Sequence, residues 1–266
     1  RPVSGDRVRV GVVGAGGFGQ SVLIPALQAT GAADFSIVAS AGGTTARRIG
    51  EQYGFRTVTS SAEAVLGSED VDAVLILTRH DLHARYVVQA LAAGKHVFTE
   101  KPLALHEEEL EEVARAHARS PGGVLVGFNR RFAPLVADIV AHFAGRTHPL
   151  VMHYRVNAGF LPADHWVHDP KEGGGRILGE ACHFIDLCHH LAGAPPTRVF
   201  AESIAGDSRY RGDDNVAITL RFADGSIATV LYTALGDSSR SKEYLEVFGE
   251  GRMAVLDDFR TLDLTA

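Results

Sequence analysis

Val8-Arg9-Val10-Gly11-Val12-Val13-Gly14-Ala15-Gly16-Gly17-Phe18-Gly19 is an apolar run that enters a glycine turn, and the helix-like stretch Gln20-Ser21-Val22-Leu23-Ile24-Pro25-Ala26-Leu27 follows it. The spacing Gly14-x-Gly16-x-x-Gly19 suits three needs, one per glycine, namely a tight turn, close approach of backbone to a pyrophosphate, and close packing of helix on strand. The free N–H groups of a helix beginning near Phe18 then face the phosphates. A plain strand-to-helix turn can match the same pattern, but the strand before it and the helix after it favour dinucleotide binding. Pro25 is expected to kink or shorten that helix.

Outward from this turn, short apolar runs at 7–13, 35–40, 71–78, 96–99 and 124–128 alternate with helical patterns at 17–30, 44–53, 82–93 and 106–119. Such alternation predicts a parallel sheet with helices on both faces. The last helix carries Glu107, Glu108 and Glu109 in its first turn and His117 and Arg119 near its end, as the helix dipole favours. Beyond Phe128 the period changes. Strand patterns at 151–157, 197–203, 215–222, 226–232 and 245–248, a hairpin turn Ala223-Asp224-Gly225-Ser226, and helices at 133–144 and 179–191 predict an antiparallel sheet with few helices. Residues 1–127 are read as a dinucleotide-binding Rossmann domain and 128–266 as a substrate-binding and oligomerisation α/β domain. Val216, Ile218 and Leu220 share one strand face that the scarce helices leave to be covered by another subunit, so a homo-oligomer, dimer or tetramer, is expected.

The 266 residues are 45% hydrophobic and 22% charged, which suits a globular protein with ample core and speaks against disorder. A net charge of −6 with scattered basic residues gives no footing for nucleic acid. Cys182 and Cys188 are too few for a disulfide framework, and no apolar stretch reaches membrane-spanning length, so a reducing cytoplasm is the expected location. The chain opens without Met on Arg1-Pro2-Val3-Ser4-Gly5-Asp6, neither a signal peptide nor a transit sequence, and reads as a fragment of a longer polypeptide.

Three segments in order resemble the Gfo/Idh/MocA oxidoreductases: Gly14 to Gly19, Gly94-Lys95-His96-Val97-Phe98-Thr99-Glu100-Lys101-Pro102-Leu103, and Gly173-Gly174-Gly175 followed by His183 and Asp186. Together they span nearly the whole chain. The resemblance implies an N-terminal doubly wound Rossmann sheet, then an α+β domain on an open, mainly antiparallel sheet, with redox chemistry on sugars, polyols or nucleotide sugars. Thr78-Arg79-His80-Asp81-Leu82-His83-Ala84 and 162–170 look, more narrowly, like bi-domain oxidoreductases, in which an alcohol-dehydrogenase-like module precedes this one.

Lys101 follows a predicted strand and precedes Pro102, at the sheet end where open α/β folds place ligands. A partly desolvated lysine there can exchange a proton with a substrate hydroxyl while hydride leaves the same carbon, as the matching lysine does in the family. The plain alternative is a surface lysine paired with Glu100. The resemblance implies that His183 contacts the reacting hydroxyl; a core histidine is the alternative reading. The family places an Asp four residues before this His, and here that position is Gly179, followed by Glu180. Lys101, His183 and Glu180 are therefore the expected catalytic residues. Cofactor contacts are expected from Gly14, Gly16, Gly17, Phe18, Gly19, Ser40, Thr78, Arg79, His80, His83, Glu100 and Lys101. Substrate contacts are expected from Lys101, Arg131, Asp164, His165, Trp166 and His183, where Trp166 could equally anchor a surface loop and Arg131 bridge two domains. No metal is expected, since Cys182 and Cys188 point to different helix faces. No acid stands near Val38-Ala39-Ser40-Ala41-Gly42-Gly43, while Arg47 and Arg48 lie just beyond, which tilts NAD or NADP slightly toward NADP. Simple dehydrogenation or ketone reduction leads. A redox-neutral oxidation and elimination on a glycoside, and a dinucleotide-binding sensor, are the alternatives.

Overall fold

The computed structural model describes residues 7–14, 16–207 and 209–266; the opening segment 1–6 and Ala15 of the glycine turn lie outside the described residues. Two compact units divide the chain, one running to Gly127 and including Lys171–Gly173, the other comprising Phe128–Pro170 and Gly174–Ala266.

In the first unit, β1 (Val8–Val13) feeds a helix that ends as α1 (Ile24–Ala29), followed by β2 (Ala33–Ala39), α2 (Gly43–Tyr53), β3 (Thr57–Thr59), α3 (Ala62–Leu66), β4 (Ala73–Ile76), α4 (His83–Ala92), β5 (His96–Thr99), α5 (Glu107–Arg119) and β6 (Val124–Val126). All six strands are parallel, in the order β3-β2-β1-β4-β5-β6. The order reverses between β1 and β4, the switch point beside which such sheets bind ligands. Val10, Val12 and Val13 are buried, as a strand covered on both faces requires. The helix after the glycine turn is widened rather than broken. Gly19–Leu23 form a π-helical turn, in which the Ile24 N–H donates to the Gly19 carbonyl, and α1 continues from there. Pro25 has no N–H for an ordinary helical bond and its ring crowds the preceding turn, so the wider turn accommodates it. α5 starts with a capping box between His106 and Glu109.

The second unit contains α6 (Pro134–His142), β7 (Val151–Asn157), α7 (Cys182–Ala192), β8 (Pro196–Ser203), β9 (Asn215–Phe222), β10 (Ile227–Thr233), β11 (Glu243–Gly249), β12 (Arg252–Asp257) and β13 (Thr261–Thr265). Its sheet runs β13-β12-β11-β7-β10-β9-β8, antiparallel except where β7 and β10 pair in parallel. The turn between β9 and β10 is the expected one: Gly225 takes φ +89° and the Asp224 carboxylate accepts the Ser226 N–H. Val216, Ile218 and Leu220 face inward and join one core with Val136 and Ile139 of α6 and Phe184 and Leu187 of α7. This corrects the expectation that another subunit covers that face, because α6 and α7 already do. The residues that alternate with the core, among them Val151, Leu231 and Phe248, are the exposed ones. Among the described residues no helix is long and apolar enough to cross a membrane.

Candidate active site

At the end of β1, Gly14 has φ +89° and its N–H donates to the Ala39 carbonyl. A Cβ there would sit 2.6 Å from the Leu77 carbonyl group, and at Gly19 a Cβ would sit 2.7 Å from the Leu77 side chain. Gly14 is demanded by the fold, because a Cβ there meets backbone at a positive φ, whereas at Gly19 the Leu77 side chain would have to move. Gly16 and Gly17 meet no such constraint: among the described residues a Cβ at Gly16 would meet only the Leu77 oxygen at 3.7 Å, and one at Gly17 would meet nothing. The space they keep open lies beside the switch point, at the start of a helix whose first N–H groups suit phosphate oxygens. The turn therefore fits a dinucleotide. At the end of β2, Ser40 is half-buried and donates its N–H to the Thr59 carbonyl. α2 starts after Gly42 with no side-chain cap, Arg48 donates to Gln20, and Arg47 pairs with Glu51.

The ends of β4 and β5 bring a cluster of ionisable groups together. Thr78 is half-buried, and the Arg79 guanidinium pairs with Glu172 at 2.7 Å. The Nδ1 of His80 lies 2.8 Å from the Gly173 carbonyl. Burial pushes the His80 imidazole down to about 4, and the nearby positive charge of Lys101 pushes the same way. Lys101 itself is half-buried, and its peptide with Pro102 is cis. Glu100 folds over Gly127, where a Cβ would sit 2.9 Å from its carboxylate; burial raises its pKa against the opposing charge of Lys101. His83, expected to touch cofactor, has no exposed surface, and its two ring nitrogens lie 2.7 Å from the Pro102 carbonyl and 3.1 Å from the Thr78 carbonyl. Its imidazole is occupied by backbone, which corrects that expectation. Lys95, at the other end of β5, is buried and donates to the Ser68 and Val71 carbonyls.

In the second unit, His183 lies in the first turn of α7, buried, with its ring edge-on to Phe128 at 6.1 Å. Asp186, one turn on, receives both Nε and Nη2 of Arg131. That bidentate pair engages Nε and Nη2 of the Arg131 guanidinium. Neighbouring Arg130 makes the equivalent pair with Glu243, over the face of Phe184. Asp164 is exposed, and His165 accepts the Val167 N–H to cap a helical turn over Trp166–His168. Among the described residues no three His, Cys, Asp or Glu side chains converge on a metal-sized site.

Glu180 belongs to a second π-helical turn, Ile177–Ala181. Its carboxylate receives Arg176, Tyr232 and Lys242. Arg176 also donates to the Ala158 and Gly159 carbonyls and lies over the Tyr232 ring. Burial alone would raise the Glu180 pKa, but the Lys242 charge and the three donors outweigh it and hold the carboxyl at about 2 against an ordinary 4.5. An acid held that low is poorly matched to shuttling protons near neutrality. Lys242 carried no local signal, being 62 residues away in sequence. Because the folded pKa is depressed, this pairing stabilises the protein above about pH 4.5 and the contribution is lost as pH falls from there through about 2. Glu180→Gln should accordingly flatten the fall of melting temperature across that window, and slopes equal to wild type would show the pairing to be energetically idle.

Residues 8–128 match the model of an oxidoreductase family with an NAD-binding Rossmann fold, and residues 139–255 match the GFO/IDH/MocA C-terminal domain. The chain belongs to the Gfo/Idh/MocA oxidoreductase family. Among its relatives in that family, 1,5-anhydro-D-fructose reductase of Ensifer adhaerens is 31% identical over 229 residues, covering 83% of this chain and 67% of the relative. Inositol 2-dehydrogenase of Rhizobium meliloti (strain 1021) is 31% identical over 230 residues, 84% of this chain and 68% of the relative. The chain thus spans about two thirds of the length of these Gfo/Idh/MocA enzymes. The WlbA dehydrogenase of Bordetella pertussis, solved in complex with NADH and UDP-GlcNAcA, shares the fold with a TM-score of 0.83 at 20% identity, over 97% of this chain and 80% of that one.

Proposed function

We propose that this oxidoreductase transfers hydride between NAD(P) and a secondary alcohol or ketone of a sugar, polyol or nucleotide sugar. The observation that carries the reading is Lys101: half-buried, just beyond β5, beside two imidazoles that burial and, to a lesser degree, its charge depress, in the unit that holds the glycine turn. The sugar and polyol substrates named for the 31% identical relatives support the substrate class. We assign cofactor binding to residues 1–127 and substrate binding to 128–266. The nicotinamide, when bound, accepts or returns the hydride. Lys101 takes the hydroxyl proton in oxidation and returns it in reduction, and His183 hydrogen-bonds the reacting oxygen. Ser40 and the uncapped start of α2 suit a 2′-phosphate, and no carboxylate at the end of β2 holds a ribose diol, so NADP(H) should bind more tightly than NAD(H). Elimination would need a second base, and Glu180, held at about 2, does not supply one.

A panel of myo-inositol, D-xylose, 1,5-anhydro-D-fructose and UDP-linked uronic acids with each cofactor tests this by nicotinamide absorbance. Net reduction or oxidation of cofactor supports it, and turnover of a glycoside without net change would replace it. The exposed face bearing Val151, Leu231 and Phe248 is the surface we assign to subunit pairing. Leu231→Asp should lower the mass seen by light scattering to that of one chain, whereas a wild-type monomer at micromolar concentration would refute the assignment.

A further inference from the structure

His83 opens α4 with no exposed surface, and its ring bridges the loops that leave two neighbouring strands, β4 and β5. Nδ1 approaches the Pro102 carbonyl at 2.7 Å and Nε2 the Thr78 carbonyl at 3.1 Å. Both oxygens can only accept, and a neutral imidazole has a single N–H. One of the two contacts therefore lacks a proton. Making both would require an imidazolium in a buried site close to the Lys101 charge, and burial and that charge both oppose it. The shorter contact identifies the nitrogen that carries the hydrogen. Pro102 is bonded directly to Lys101, so whatever anchors the Pro102 carbonyl fixes the backbone from which the lysine side chain starts.

We propose that His83, as the neutral Nδ1–H tautomer, is a positioning residue that holds Lys101 in register through the Pro102 carbonyl. This rests on the proton-transfer reading of Lys101 given above. A reacting group displaced by about 1 Å can cost on the order of 10²-fold in rate, so one buried hydrogen bond next to Lys101 has leverage on turnover out of proportion to its own strength.

The two ring nitrogens can be tested separately. An asparagine amide nitrogen stands about where Nδ1 does and can reach Pro102, whereas a glutamine amide nitrogen stands about where Nε2 does and can reach only Thr78. His83→Asn should keep kcat close to wild type, and His83→Gln should lower kcat by up to about 10²-fold with substrate KM and NADH affinity little changed. A packing role alone would favour Gln, which fills the ring's volume better. If Gln matches or exceeds Asn, or if both match wild type, the proposal is overturned. Nitrogen-15 NMR of histidine-labelled wild-type protein decides the point without any variant having to fold: a protonated Nδ1 supports the clamp and a protonated Nε2 sinks it. Lys101→Met, measured alongside, separates the two readings. Retained turnover there defeats the role of Lys101, while lost turnover with the Asn and Gln order reversed defeats only that of His83.

Discussion

In Lys101→Met, turnover falls by about 10²–10⁴-fold, the usual worth of general acid–base catalysis, while cofactor affinity persists. Methionine keeps most of the aliphatic stem, so the packing after β5 survives and only the transferable proton is lost. Two features give the variant its meaning. Lys95 cannot substitute, since it lies at the opposite end of β5 with its ammonium on the Ser68 and Val71 carbonyls. Glu180 cannot substitute either, because Lys242, Tyr232 and Arg176 keep it ionised far below neutral pH. Steady-state kinetics on a panel substrate, with calorimetric titration of NADH, check both halves. Turnover near wild type would remove Lys101 from the mechanism and leave His183 as the proton carrier.

Gly16→Val should fold normally and lose cofactor affinity by at least about 10²-fold, or ~2.7 kcal/mol. Among the described residues its new Cβ has only one neighbour, the Leu77 oxygen at 3.7 Å, so the side chain should intrude on the ligand and not on the fold. Gly14→Ala is the contrasting case: the Cβ lands against the Leu77 backbone at a positive φ, and stability is what suffers. Calorimetry and thermal melts distinguish the two glycines, and unchanged NADH affinity in Gly16→Val would move the cofactor elsewhere.

Much of the architecture could be read directly because its signals are local. The apolar β1, the glycine turn and the strand-helix alternation specify a parallel sheet, and the Asp224-Gly225 turn specifies a hairpin. β3 and α3 escape such a reading because they are short and β3 is largely exposed. β12 and β13 escape it because Gly249 to Gly251 interrupts the pattern and β13 lies mostly exposed at the sheet edge. The site was legible as residue types and not as partnerships. Arg130 and Arg131 are adjacent and chemically alike, yet one finds Glu243 and the other Asp186, at separations of 113 and 55 residues. Nothing near either arginine announces this. The Glu180 carboxylate likewise finds Lys242, 62 residues on, which no local pattern signals.

The parallel pairing of β7 with β10 has an evolutionary consequence. Parallel neighbours cannot be joined by a tight turn, and roughly 70 residues, including α7, β8, β9 and the loop around Trp166, are strung between them. The entropy of closing so long a connection grows only with the logarithm of its length, so ten more residues cost on the order of 0.1 kcal/mol. A Gly/Ser insertion after Pro162 should therefore leave the melting temperature almost unmoved, and a large drop would show that loop to be under tension. Loops carried on this connection can lengthen, shorten or be exchanged while the sheet that supports them stays the same, which gives the scaffold a cheap route to variation.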